Sequence, residues 1–125
     1  MLGDRDAVAT IAVRDLAAAA RFYEDTLGLT RIASEGSEAF TYRTGNSTLL
    51  VYQSQYAGTN QATAVTWPAG DDVDVLAGKL ADKGVQFEHY DMPEMRREGD
   101  VHVAGDMRVA WFRDPDGNIH AVVSG

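Results

Sequence analysis

One pattern written twice constrains this chain more than any other feature. Val8 to Val13 is a short apolar, β-prone run, and Asp15 follows it as a natural N-cap for a helix over about Leu16 to Leu27 that Gly28 ends. Leu16, Ala19, Ala20, Tyr23 and Leu27 recur along it at helical spacing. The same grammar returns 57 positions on, counted from Asp15 to Asp72. There Ala62 to Trp67 reads as a strand, Asp71 or Asp72 as a cap, and Val73, Leu76, Ala77 and Leu80 as one helix face before Gly84. β-like segments follow each helix: Thr30 to Ala33, Ala39 to Thr44 and Thr48 to Gln53 in the first half, then Val85 to Tyr90, Met107 to Arg113 and Ile119 to Val123 in the second. Each half therefore reads strand, helix, three strands.

A single βαβββ module would leave an apolar sheet face in water, so pairing two lets them bury shared surface and form a curved sheet with a concave side, a candidate pocket. The expected fold class is α+β, one domain over residues 1–125, with modules over about 5–55 and 61–125 and a linker at Gln55 to Asn60. Gly45-Asn46 and Asp116-Gly117 signal turns between consecutive strands. The charged stretch from Asp91 to Asp106, with Pro93, Gly99 and Gly105, reads as a mobile loop or an irregular hairpin.

Composition narrows the chemistry. At 125 residues the chain has room for one compact core and no second domain. No run approaches the roughly 18 apolar residues of a membrane span, and Met1 to Asp6 is too polar for a signal peptide, so a cytoplasmic, soluble protein is expected. Without cysteine there is no disulfide and no thiolate for a metal or for covalent catalysis. A net charge of −8 argues against nucleic acid and anionic membranes as partners, because phosphate binding is built from Lys and Arg.

Two further motifs carry a family resemblance. Val13-Arg14-Asp15-Leu16 leads to Arg21-Phe22-Tyr23 and Thr26-Leu27-Gly28-Leu29, and Trp111-Phe112-Arg113-Asp114-Pro115-Asp116-Gly117-Asn118 precedes the last strand. In this combination, over nearly the whole chain, the sequence resembles the vicinal oxygen chelate superfamily of glyoxalase I, extradiol dioxygenases, fosfomycin-modifying enzymes and bleomycin-binding resistance proteins. The resemblance implies a cupped mixed sheet, a homodimer, and, in the enzymes, a divalent metal held from the first and last strand of each module by His or Gln and by Glu. Seven residues before Asp15 and Asp72, the first-strand positions fall on Val8 and Val65; the last-strand positions fall on Leu50 and Ala121. None of the four can donate to a metal, so no metal and no other cofactor is expected.

With such positions apolar, the floor of the cup suits a ligand with hydrophobic or aromatic surface. Strand alternation puts Thr48 and Tyr52 on the face of Leu50, and Trp67 on that of Val65. Trp111 ranks first among the other strand aromatics, Phe40, Tyr42, Phe87 and Tyr90; Met107, like Met92 and Met95, flanks the charged stretch. Each could equally fill the core. The expected ligand-binding set is thus Thr48, Leu50, Tyr52, Val65, Trp67, Tyr90, Met107 and Trp111. Alternation turns His120 away from Ala121, to a surface or interface position, and His89 and His102 read as solvent-facing. The reading that follows is a metal-independent binder that sequesters a hydrophobic or aromatic small molecule such as a natural-product antibiotic, conferring resistance without catalysis. The alternatives are a lyase, isomerase or dioxygenase of the same superfamily, a metal-free catalyst using His89, His102 or a tyrosine, and an accessory domain that binds a metabolite.

Overall fold

The computed structural model describes all 125 residues, and their contacts divide into two compact units, Met1–Thr59 and Asn60–Gly125. The first begins with a 3₁₀ turn, Leu2–Asp4, followed by strand β1 (Ala9–Val13) and helix α1 (Leu16–Ala20), which continues as a π-helical segment, Arg21–Thr26. Strands β2 (Thr30–Glu35), β3 (Ala39–Thr44) and β4 (Ser47–Gln53) complete it. Asp15 caps α1 as its side chain dictates, accepting the amides of Ala17 and Ala18 at 2.9 and 3.3 Å. The wider turn that follows is made by Leu27 N–H, which donates to the Phe22 carbonyl five residues back.

The first sheet runs β1-β4-β3-β2, with β1 parallel to β4 and the rest antiparallel. Burial alternates along β1 and β4, whereas β2 is exposed throughout. Ile11 and Val13 on β1, Leu49 and Val51 on β4 and Tyr42 on β3 are buried against Leu16, Ala19 and Tyr23. Burying each aliphatic side chain of this kind is worth about 1.5–3 kcal/mol, which lets a short helix hold its place. At the rim, Glu24 accepts from Arg31 and from the Tyr42 hydroxyl (2.9 Å), while the Arg31 guanidinium lies 3.7 Å over the Phe40 ring. The Arg31 hydrogen bond holds the Glu24 carboxyl below its ordinary range, and burial with the Glu24 bond pushes the Tyr42 hydroxyl up.

In the second unit, β5 (Thr63–Pro68) leads through a 3₁₀ turn, Gly70–Asp72, into helix α2 (Val73–Asp82), of which Val73 and Ala77 are buried. Asp72 makes no side-chain cap bond, unlike Asp15. After α2 the repeat is not copied. The expected strand over Val85 to Tyr90 shrinks to β6 (Phe87–Glu88), and the charged stretch contains a hairpin, β7 (Arg96–Glu98) and β8 (Val101–Ala104). Val101, His102 and Val103 of β8 are buried, which makes the hairpin part of the sheet. Strands β9 (Met107–Arg113) and β10 (Ile119–Val123) follow, giving the order β5-β10-β9-β8-β7, with β6 pairing the upper half of β9. The α+β class with two sheets and few helices is thus as the sequence predicted. No helix is long and apolar enough to cross a membrane.

The turn between β9 and β10 is built by one buried side chain. Asp114 Oδ1 accepts the amides of Asp116 and Asn118 at 3.0 and 2.8 Å, and Oδ2 accepts Asn118 Nδ2 at 2.8 Å. Gly117 supplies the positive φ of 90° that the tight return needs.

Candidate functional site

The register of the second sheet decides which side chains share a face. Across β5, β10 and β9, Val65, His120 and Phe112 stand in one row and Trp67, Val122 and Ala110 in the next, while Thr66, Ala121 and Trp111 form the alternate row. Helix α2 lies on the side of the first two rows, where Arg108 reaches Asp74 of the helix with two hydrogen bonds of 2.8 Å. Trp111, Ala121 and Met107 therefore occupy the face without a helix.

The register corrects the facing expected of two residues. Val65 and Trp67 lie on the helix-bearing face, and the exposure of β5 alternates accordingly, with both half-buried between exposed Ala64, Thr66 and Pro68. The physical reason is the connection to the helix. Val13, the last helix-facing residue of β1, lies two positions before Asp15, whereas Trp67, the last on β5, lies five before Asp72, an odd difference, so counting back the same seven residues lands on the opposite face. The β5 residue two before Thr66 on the open face is Ala64, which is as unable to bind a metal as Val65.

Trp67 instead completes a buried cluster. Its indole N–H donates to His120 Nδ1 at 3.0 Å, and the His120 ring lies between Phe112 (4.8 Å between centroids, 10° between planes) and Trp67 (6.1 Å, 14°). His120 does turn away from Ala121, but into the core and not to a surface. Burial lowers its pKa to about 4, with the Asp114 carboxylate offsetting part of the effect.

On the open face of the second sheet, two rings pack against Trp111. Tyr90 meets it edge-to-face at 5.1 Å, His102 does so at 4.8 Å, and Tyr90 and His102 are 6.0 Å apart. Trp111 and Tyr90 keep part of their surface in solvent, Met107 is 51% exposed farther along β9, and Ala121 is a buried neighbour with no polar atom in its side chain. His102, expected in solvent, is buried at the centre. The amide of Tyr90 donates to its Nε2 at 2.9 Å, and its Nδ1 makes no hydrogen bond of good geometry. Burial lowers the His102 pKa, the Val109 backbone and, less, the Tyr90 backbone offset this in part, and the charges of His89 and Arg97 add to it. His89 is exposed and pairs with Asp100, Nε2 to Oδ1 at 2.7 Å. Glu88, opposite Trp111, pairs with Arg113. Burial and the Glu88 charge raise the Tyr90 pKa.

In the first unit, Thr48, Leu50 and Tyr52 of β4 share the face away from α1, opposite Arg43, Thr41 and Ala39 of β3. Tyr52 is 39% exposed there, and Val8, just before β1, is 47% exposed. The residue that sequence reasoning missed is His102. Its signal was the apolar run Val101-His102-Val103-Ala104 inside an otherwise charged segment, which marks a strand with a buried face.

The fold and this site define a class, and sequence comparison gives it a name. The pattern of the Glyoxalase/Bleomycin resistance protein/Dioxygenase superfamily matches residues 6–121, and the chain belongs to that superfamily. None of the curated proteins matches it. Among solved structures it is similar to the fosfomycin resistance protein FosX of Mesorhizobium loti (TM-score 0.71, 17% identity, covering 98% of this chain and 92% of that one). It is also similar to FosX of Listeria monocytogenes (0.73, 15%, 97% and 93%) and to lactoylglutathione lyase of Agrobacterium tumefaciens (0.67, 21%, 95% and 93%). At these identities the likeness shows the fold.

The metal implied by the resemblance does not fit the residues present. Val8 and Leu50 in the first unit, and Ala64 or Val65 and Ala121 in the second, offer no oxygen or nitrogen donor, and no three His, Asp or Glu side chains gather to hold a cation.

Proposed function

We propose that the chain is a metal-independent small-molecule-binding protein that sequesters a hydrophobic or aromatic ligand, and that the ligand is a natural-product antibiotic. The observation that carries this reading is the open face of the second sheet, where Trp111, flanked by Tyr90 and by Met107 along β9, stands beside Ala121 at a position where the resemblance implies a metal ligand. An aromatic platform with an apolar floor gains affinity from buried area and ring stacking, and sequestration needs no group to attack or protonate the ligand. The exposed Tyr52 and the neighbouring Leu50 on the first sheet offer a second surface of similar character. The FosX relatives support a resistance role, and the lyase relative supports the competing one, a superfamily enzyme.

Self-association belongs to the same proposal. Strand β1, Ala9-Thr10-Ile11-Ala12-Val13, is a sheet edge without charge or proline, whereas edge strand β7 carries Arg96, Arg97 and Glu98. An uncharged edge invites pairing, and a homodimer would supply it.

The test has two arms. The protein is first loaded with excess nickel, zinc, manganese and iron(II), desalted and assayed for metal; less than a tenth of an equivalent is expected, and one metal per chain would overturn the metal-independent reading. Tryptophan quenching is then titrated with bleomycin and with a flat aromatic antibiotic, fosfomycin serving as the polar comparison, and the ligand is recovered for mass spectrometry. Saturable quenching by an aromatic compound recovered unchanged is expected. A compound turned over by the protein would establish the enzyme in its place.

A further inference from the structure

We infer that His102 is a positioning residue, a latch whose neutral ring holds the Tyr90 wall against Trp111 and whose protonation releases it, making the ligand surface sensitive to acid. This rests on the proposed binding role of the open face, but the latch is a property of the free protein. A backbone amide is always a donor, so the amide of Tyr90 can bond to His102 only while Nε2 carries a lone pair. That fixes the neutral ring with its hydrogen on Nδ1. A second proton must go to Nε2, and two donors then face each other across 2.9 Å inside a buried site.

The latch closes a specific segment. Tyr90 lies near the start of the connection from β6 to β7, which begins at His89 and which no strand pairing restrains until Arg96, and its turn at Pro93 holds Glu94 at a positive φ of 69°. His102 is on β8, in register with Arg97 of β7 and Val109 of β9. The charged and titratable groups around it act in one direction. Arg97 faces it across the β7–β8 pair and His89 lies 6.4 Å away, both disfavouring a second positive charge, while the Asp100 carboxylate that could favour it is engaged by His89. Tyr90 presents its own ring, and Glu88 is paired with Arg113. The ring is therefore neutral at pH 7 and gives way when the pH falls below the ordinary histidine range. His89 bonds to Asp100 and not to the Tyr90 amide, so the two histidines are separable by substitution.

The experiment is NMR of the whole, unliganded protein from pH 7.5 to 4.5. Long-range ¹H–¹⁵N correlation reads the His102 tautomer and its titration, and hydrogen exchange, corrected for intrinsic rates, reads the Tyr90 amide. The expected result is an unprotonated Nε2 at pH 7.5 and Tyr90 exchange that accelerates about tenfold or more as the ring takes its second proton, the scale of one lost hydrogen bond. In His102→Gln, whose side-chain oxygen accepts at any pH, the acceleration disappears; in His89→Asn it remains. A hydrogen on Nε2 at neutral pH, a ring that stays neutral to pH 4.5, or Tyr90 exchange that ignores the titration would each overturn the latch. None of these outcomes depends on a ligand, so a latch that works while every aromatic compound fails to bind would refute the proposed function alone.

Discussion

His120 makes the stability of this protein depend on pH, by an amount that can be worked out. In the fold its ring is enclosed, lies close and nearly parallel to Phe112, and uses Nδ1 to accept the Trp67 N–H, so a charge there would be desolvated. Its pKa falls from the ordinary 6.5 to about 4. The unfolded chain takes the proton first as pH drops, so stability is greatest above pH 6.5 and is lost as pH falls towards the folded value of about 4. At about 1.4 kcal/mol per pH unit the full effect is about 3.4 kcal/mol, of which about 2 is gone by pH 5. The comparison is urea unfolding of the protein and of His120→Leu at pH 7.5 and pH 5. Leu removes the titration and leaves the Trp67 N–H unpaired, so the variant is less stable throughout. The gap between the two proteins should narrow by about 2 kcal/mol on going to pH 5. His102 titrates in both and cancels. A gap that stays constant, or widens towards pH 5, would mean that His120 is exposed to protons in the fold or already charged there.

Substitutions at two other positions test loops of the second unit. Asp114→Ala strips three acceptor contacts from the β9–β10 turn and should cost about 2–4 kcal/mol in urea unfolding, with Asp114→Asn intermediate. Glu94→Asn should stabilise by up to about 1 kcal/mol, because Asn tolerates the left-handed conformation that the turn after Pro93 imposes, while Glu94→Val should destabilise in the same assay.

The duplicated strand-helix-strand grammar was legible because hydrophobic period and capping chemistry are local: Asp15, the Leu16–Ala19–Tyr23 stripe and the Asp114–Asn118 turn each carry their own signal in a few residues. The lack of metal donors at Val8, Leu50 and Ala121 was equally a matter of side-chain chemistry, and survived a register error because the neighbouring Ala64 is no better a ligand than Val65. Facing was not local. Whether Trp67 looks at a ligand or at His120 depends on the length of the turn between β5 and α2, and only the cross-strand register fixed it. The sequence placed His102 in a polar loop, since its environment comes from Tyr90 and Trp111, which are 12 and 9 residues away along the chain. What the chain determined by itself was which elements form and which atoms are missing from them. Tertiary structure decided which histidines are buried and which rings meet, because burial and ring contact are made between strands that no short window of sequence contains.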